Sequence, residues 1–195
     1  MKKNKIVDFF FQGHTEYIAH LAPLFALSLL IFLSSTAMGY SLGRDVQPWV
    51  FEDVLSHLPD PRRASGLDVF LGILSNNVVA CIIFLASGLV LGIPPLLFMA
   101  LNGFYVGYVA FNAAHQKGIG FVLASLLPHG VIEIPAIVLC SAMGVGLGYT
   151  LLQRLFKSVD LQGYFLESIR VFLFRIIPLL VLAAGIETAV IYLML

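Results

Sequence analysis

The chain has 195 residues, of which 59% are hydrophobic and only 11% are charged, and its mean hydropathy is +0.96. Soluble domains average about 25% charged residues, so a water-soluble fold of this length could not bury so much apolar surface. Eleven basic and eleven acidic residues give a formal net charge of zero, which leaves no polybasic surface for nucleic acid. The composition excludes a soluble enzyme, a nucleic-acid-binding protein and a disordered chain, and it indicates a protein whose partner is the lipid bilayer.

The first half of the chain contains three stretches that are long enough, at about 20 apolar residues, to cross a bilayer as helices. The sequence predicts the first span at residues 17–40, the second at about Val69–Gly92 and the third at about Pro94–Asn112. Ile93-Pro94-Pro95 predicts a tight break between the second and third spans, because proline has no backbone N–H and restricts the residue before it. We therefore expect an all-α, polytopic transmembrane helical bundle that forms one integral membrane domain over residues 1–195.

The second half of the chain is predicted to add two further spans. The apolar stretch Gly118–Leu152 is too long for one ordinary span and is interrupted by Pro128-His129-Gly130. We expect a short broken or re-entrant helix over Ile119–Leu127, followed by a full helix from about Gly130. The sequence leaves open whether Ile119–Leu127 is instead part of one kinked span. The segment Leu166–Arg175 mixes charged and apolar residues, as interfacial helices do, and Pro178–Leu195 is long enough for a short fifth span.

Residues 41–68 differ from the rest in being rich in charge and proline, and they predict an extramembrane loop with a short amphipathic helix at Trp49–Leu58. Residues 69–195 then form the core of the bundle. Basic residues are more frequent in cytoplasmic loops, and their distribution favours a cytoplasmic N-terminus. With that orientation the inner side carries Lys2, Lys3, Lys5, Arg154, Lys157 and Arg170, and the outer side carries Arg44, Arg62, Arg63 and Lys117.

Pairs of glycines spaced four residues apart recur along the chain. Residues at this spacing share one helix face, so a glycine pair forms a flat strip where another backbone can approach closely. The pattern predicts close packing between helices of one chain, and it leaves open a homo-oligomer through one of the strips. The pairs are Gly39/Gly43, Gly88/Gly92, Gly103/Gly107 and Gly144/Gly148.

Polar and ionisable residues also fall within the predicted membrane-spanning stretches, where an ionisable group costs about 2.5–3.5 kcal/mol on insertion scales. If the break at Pro128 lies near mid-membrane, all of them share one polar layer. The asparagines have a structural interpretation as hydrogen-bonding groups between helices, and the histidine has one as a helix cap or as a partner of a backbone carbonyl. The two carboxyl groups must instead be protonated, hydrated, paired with histidine or bound to a cation. We therefore predict a mid-membrane site for a cation, a proton or a small solute, with Glu133 as the binding group. The predicted site residues are Glu133, His129, Asn76, Asn77, Asn102 and Glu187.

No catalytic residue is predicted. His129 and Glu133 resemble half of a metal site, but a catalytic zinc ion needs three protein ligands, so the question of a metal stays open. The sequence contains neither H-E-x-x-H nor G-x-S-x-G. Cys81 and Cys140 lie in apolar runs and are interpreted as small core residues. We expect a protein that is not an enzyme and that carries no cofactor.

The order of these motifs resembles a known family. Asn76-Asn77 is followed by Leu101-Asn102-Gly103, then by Leu127-Pro128-His129-Gly130 with Glu133, and finally by Ile186-Glu187. From about Leu67 to the C-terminus, the chain resembles the stage II sporulation protein M family of polytopic membrane proteins.

The resemblance implies a multipass protein of the prokaryotic cell membrane. The member that gives the family its name anchors peptidoglycan-degrading partners during spore engulfment, whereas the exposed parts predicted here are only the loop at 41–68 and short ends. Two functions remain. The leading hypothesis is an ion or small-solute channel or transporter, and the alternative is a non-transporting scaffold for partners that remodel the cell envelope.

Overall fold

A computed structural model describes residues 15–46 and 61–194, and within these ranges it describes all side chains except those of residues 126–129 and 194. The predicted amphipathic helix at Trp49–Leu58 lies outside the described residues. Residues 15–20 are helical, and a π-helical turn at Phe172–Ile176 connects the last two α-helices. The α-helices are α1 (Ala22–Leu42), α2 (Gly66–Ser87), α3 (Pro94–Lys117), α4 (Ile119–Arg154), α5 (Leu161–Val171) and α6 (Ile177–Met194).

Five helical segments are long and apolar enough to cross a membrane: α1, α2, α3, the part of α4 from residue 130, and the continuous run from α5 to α6. They confirm the predicted all-α bundle, and no strand occurs in the described ranges. The segment predicted to be interfacial therefore belongs to the same continuous helical run as the fifth span.

Local sequence explains where these helices begin and end. The Ser65 side chain and Asp68 form a reciprocal capping box at the start of α2, which satisfies backbone donors that would otherwise be unpaired. The prolines Pro94 and Pro95 occupy the first turn of α3, where a missing N–H costs nothing. Between α3 and α4 the chain turns at Gly118, whose φ of +84° favours glycine.

The expected break before Gly130 is absent, because residues 119–154 form one continuous α-helix. Of the alternatives for Ile119–Leu127, the structure therefore has the one in which this segment belongs to a single long helix. Proline at position 128 removes only one backbone donor from the helical ladder. In lipid an interrupted ladder would leave several backbone groups without water, so a helix that continues through one proline is favoured over a broken one.

The helix α4 lies at the centre of the bundle and packs against α1, α2, α3 and α6. The α1 helix packs most extensively against α3, whereas α2, α4 and α6 pack against one another. Large side chains with at most 1% exposure fill the middle of this arrangement, and they include Met99, Met143, Leu147, Ile176 and Leu180.

The glycine pairs mediate these contacts within the chain, as predicted. A Cβ atom added to Gly88 would overlap the backbone carbonyl of Gly144, and one added to Gly148 would overlap the backbone of Gly92. The pairs of α4 and of the α2–α3 turn therefore pack on each other. In the same way, a Cβ atom at Gly103 of α3 would lie 2.5 Å from the carbonyl oxygen of Phe32 in α1.

Candidate functional site

Three polar side chains that are far apart in sequence meet between α2, α4 and α6. The Asn77 side chain lies close enough to the Glu133 carboxyl group to act on it, and Glu187 interacts electrostatically with the same group. Asn77 is 5% exposed, and the two glutamates are half-buried. We call Asn77, Glu133 and Glu187 the acid–amide site.

Apolar contacts on both sides of Asn77 hold this site together. One turn before it, Ile73 packs with Val69 and with Ala184 of α6 in a small buried cluster. One turn after it, the buried Cys81 lies beside Cys140 of α4. Asn77 is thus placed where α2 passes from its contact with α6 to its contact with α4, so it faces a glutamate from each.

Counting residues along α2 gives the depth of the acid–amide site. Asn77 is eleven positions after Gly66 and ten before Ser87, the two ends of α2. At 1.5 Å per residue these separations are about 16 and 15 Å, close to half of a hydrocarbon core of about 30 Å. The site is therefore near the middle of a membrane that α2 spans.

The charge balance of the site is unusual for a membrane interior. Among the described side chains, the groups that act on Glu133 are Glu187 and Asn77, neither of which is cationic. The Oε2 atom of Glu133 is buried and has no hydrogen-bond partner among the described residues. Two neighbouring carboxyl groups with little solvent cannot both be ionised without a compensating charge. The geometry therefore suits a group that holds a proton or a cation.

Three of the six predicted residues converge, and the others differ in position. Asn76 is exposed, and its Nδ2 atom donates only a long bond of 3.5 Å to Oδ1 of Asn77. Asn102 is half-buried on α3, and no described contact joins it to the acid–amide site. His129 belongs to α4, one turn before Glu133, but its side chain lies outside the described part.

Packing density changes at the level of the site. Towards the end of the bundle that holds Gly92 and Gly148, the side chains of Leu180 and Ala183 on α6 are completely buried. Beyond the site, towards the C-terminal end of α6, Thr188 and Ile191 are only half-buried although they continue the same helix face. Along α6, the acid–amide site thus lies where a tightly packed half meets a more open half, whereas Val69 and Ile73 of α2 stay buried on the more open side.

A buried hydroxyl pair was not anticipated from the sequence. Oγ of Ser28 in α1 lies 3.2 Å from Oγ of Ser141 in α4, and both side chains have no exposure. Ser141 in turn donates to the carbonyl of Pro95 at 3.3 Å, which connects α1, α4 and α3. Single serines are common in membrane helices, so the sequence carries no signal that these two would meet.

The fold and the acid–amide site together define a multipass helical membrane protein with a polar centre. The profile of the family "Stage II sporulation protein M" matches residues 23–190. The chain therefore belongs to the stage II sporulation protein M family, which confirms the resemblance of the motifs. The match begins in α1 and therefore includes the first span. The resemblance of the motifs began only at about Leu67.

Relatives in the archaeon Methanocaldococcus jannaschii share much of the chain. The uncharacterized protein MJ0706 is 30% identical over 171 residues, which cover 85% of this chain and 75% of that protein. The uncharacterized protein MJ0793 is 23% identical over 124 residues, covering 63% of this chain and 67% of that protein. No solved structure matches the chain.

Proposed function

We propose that this protein binds a cation or a proton at the acid–amide site and passes it across the membrane, with Glu133 as the binding group. The observation that carries the proposal is the convergence of two carboxyl groups and one amide in the middle of the bundle. Ionisable residues at this depth are costly and usually functional. If the groups only joined helices, amide or hydroxyl side chains would suffice at lower cost.

The ligand class follows from the donor atoms. Carboxylate and amide oxygens are hard ligands, which suit protons, alkali cations and alkaline-earth cations better than soft metals. Glu133 supplies the charge, Asn77 orients its carboxyl group, and Glu187 adds a second negative charge that favours a cationic occupant. A small neutral solute is a weaker fit, because two carboxyl groups from α4 and α6 act together at the site and favour a positively charged occupant.

Access to the site is proposed to come from one side. The half-buried Thr188 and Ile191 lie between the site and the C-terminal end of α6, whereas the fully buried Leu180 and Ala183 close the opposite path. Complete passage then requires the tightly packed half to open, as in a transporter rather than an open pore. With the N-terminus in the cytoplasm, as the basic residues favour, the open half faces outward.

Three further statements belong to the same proposal. The membrane is the prokaryotic plasma membrane, the protein has a non-enzymatic role, and the chains associate into a homo-oligomer. The first is supported by membership of the family. The homo-oligomer is supported by Asn76, whose amide group is exposed in the middle of a spanning helix. An exposed amide group at this position favours association with a polar group of another chain.

Flux through proteoliposomes tests the function directly. The purified chain is reconstituted, and uptake of H⁺, Na⁺, K⁺ and Ca²⁺ is followed with fluorescent indicators under imposed gradients. We expect uptake of at least one cation, and loss of that uptake in Glu133→Gln with the helical circular dichroism unchanged. Asp45→Asn makes the same carboxyl-to-amide change at an exposed residue outside the spans and should retain uptake.

The alternative function gives the opposite pattern. If no cation is taken up, and Glu133→Gln changes only the unfolding temperature, the acid–amide site merely joins helices. The chain is then a non-transporting membrane scaffold for partners that remodel the cell envelope.

Cysteine labelling tests one-sided access separately from flux. In a background with Cys81 and Cys140 replaced by alanine, Thr188→Cys should react with a membrane-impermeant thiosulfonate, whereas Ala183→Cys should not. Equal labelling of both positions would contradict a site that opens to one side only.

A further inference from the structure

A cavity lies far from the acid–amide site, at the end of the bundle where α1 begins. It has a volume of about 600 Å³, is open on one side, and is lined by the segment before α1, the first turn of α1, the last turns of α4 and the first turn of α5. Sites for small organic molecules commonly measure about 300–1,000 Å³, so the cavity has the size of a ligand site.

Tyrosines from three different elements line this cavity: Tyr17 before α1, Tyr149 on α4 and Tyr164 on α5. The rings of Tyr17 and Tyr164 meet nearly at a right angle, with centroids 5.2 Å apart. They therefore form two adjoining walls. The ring of Tyr149 is 58% exposed, so it remains free to cover a ligand from the open side.

Hydrogen bonds hold two of these rings in place. The hydroxyl of Tyr17 lies 2.6 Å from Oγ of Ser168, and the hydroxyl of Tyr164 donates to the carbonyl of Met143 at 3.1 Å. Gly146 makes the second bond sterically feasible, because any Cβ atom at that position would overlap the Tyr164 hydroxyl. The walls are thus preorganised, which lowers the entropic cost of binding.

The charged residue at the cavity is acidic. Glu16 belongs to the lining, whereas no lysine or arginine does among the described residues. Burial raises the pKa of the Tyr17 phenol, so this ring stays neutral at physiological pH and Glu16 supplies the only carboxylate of the described lining. His20 donates through Nδ1 to the Glu16 backbone carbonyl at 3.0 Å.

We propose that this tyrosine cavity, lined by Tyr17, Tyr149, Tyr164 and Glu16, binds an organic ammonium group. Aromatic faces attract cations through their quadrupoles, and quaternary ammonium ions are recognised in aromatic cages of this kind. The Glu16 carboxylate supplies the counter-charge, and Leu21 and Leu24 supply an apolar floor for the methyl groups or the alkyl chain. The same chemistry belongs to a free amine in solution and to the headgroup of a choline or ethanolamine phospholipid.

Binding of tetramethylammonium tests the proposal on the full chain. The purified protein is placed in nanodiscs of phosphatidylglycerol, which lacks an ammonium group, and binding is followed by tyrosine fluorescence and isothermal calorimetry. We expect saturable binding that is about tenfold weaker in Tyr149→Leu and in Glu16→Gln, as the loss of one cation–π or charge contact predicts. Tyr40→Leu, which removes an exposed tyrosine at the other end of α1, should bind as the wild-type chain does.

A neutral ligand keeps the test independent of variants that fold poorly. Neopentane carries the same four methyl groups as tetramethylammonium without its charge. In the same way, 3,3-dimethyl-1-butanol has the shape of choline, with a neutral carbon atom in place of the charged nitrogen. Wild-type protein should bind the charged member of each pair more tightly. Equal binding of charged and neutral members, or no saturable binding of tetramethylammonium, would overturn the proposal.

The lipid composition identifies the source of the ammonium group. If tetramethylammonium binds in phosphatidylglycerol but is excluded in phosphatidylcholine, the occupant is a lipid headgroup. If it binds equally in both, the occupant is a free amine. Either result supports the ammonium site, and neither depends on the flux assay for Glu133.

Discussion

The contact between α1 and α3 predicts a measurable cost for one methyl group. In Gly103→Ala, the added Cβ atom would lie 2.5 Å from the carbonyl oxygen of Phe32, whereas ordinary contacts begin at 3.4 Å. The two backbones must therefore separate by about 0.9 Å, the difference between these two distances. Gaps of about 0.5–1 Å forfeit a quarter to a half of the dispersion energy between the atoms involved, and overpacking typically costs about 1–3 kcal/mol.

Gly185→Ala is the matched control for this variant. Gly185 lies within α6, and a Cβ atom at this position would meet nothing within 4 Å. Both variants gain the helix propensity of alanine, about 1 kcal/mol, so the difference between them isolates the packing cost. Thermal unfolding in detergent, followed by circular dichroism, should place Gly103→Ala below Gly185→Ala by about 2–4 °C for each kcal/mol. Equal unfolding temperatures would refute the close approach of α1 and α3.

Three further predictions concern buried groups. Cys81 and Cys140 are fully buried, so maleimide should label neither thiol in the native protein and both in dodecyl sulfate; labelling without denaturant would contradict their burial. Ser28→Ala and Ser141→Ala should show a coupling of about 0.6 kcal/mol in a double-mutant cycle, a typical value between membrane helices, whereas strictly additive effects would show that the 3.2 Å contact contributes nothing. Tyr164→Phe removes the donor to the Met143 carbonyl and should destabilise the chain by about 1 kcal/mol; unchanged unfolding would argue against this bond.

The spans were predictable from the sequence because lipid imposes a simple rule. A backbone that crosses the bilayer must satisfy its own hydrogen bonds, so apolar stretches of sufficient length become helices, and Pro94-Pro95 marks the start of one of them. The same reasoning predicted the depth of Asn77 and Glu187. It failed at Pro128, because the cost of one lost donor is smaller than the cost of exposing several backbone groups to lipid.

Which residues face one another was much less predictable. Depth along a helix follows from counting residues, but direction depends on how that helix packs. Asn76 and Asn77 illustrate the difference, because they are neighbours at the same depth. Asn76 is exposed, whereas Asn77 is buried beside Glu133. Asn102 has a suitable depth as well, but α3 packs mainly against α1 and α4. The sequence therefore identified candidate residues for the site, but it did not show which of them face the site and which point elsewhere.

The direction of Glu187 depends on a feature that helical periodicity does not reveal. In a regular α-helix, Ile186 would lie on the same face as the buried Ser168, because eighteen residues make five full turns. The π-helical turn at Phe172–Ile176 closes through a bond from the Ile177 N–H to the Phe172 carbonyl, and it inserts one extra residue. The face buried after the turn therefore contains Ile176, Leu180 and Ala183, and it continues to Glu187.

Pro178 explains why the extra residue is placed there. It has no N–H to offer the carbonyl of Phe174, and its ring would crowd that carbonyl in a regular helix. A wider turn just before the proline relieves this crowding, and π turns of this kind are frequent at functional sites. Because Pro178 favours the extra residue, Glu187 rather than Ile186 lies on the face of the helix that meets Glu133. This is how the second carboxyl group reaches the centre of the bundle.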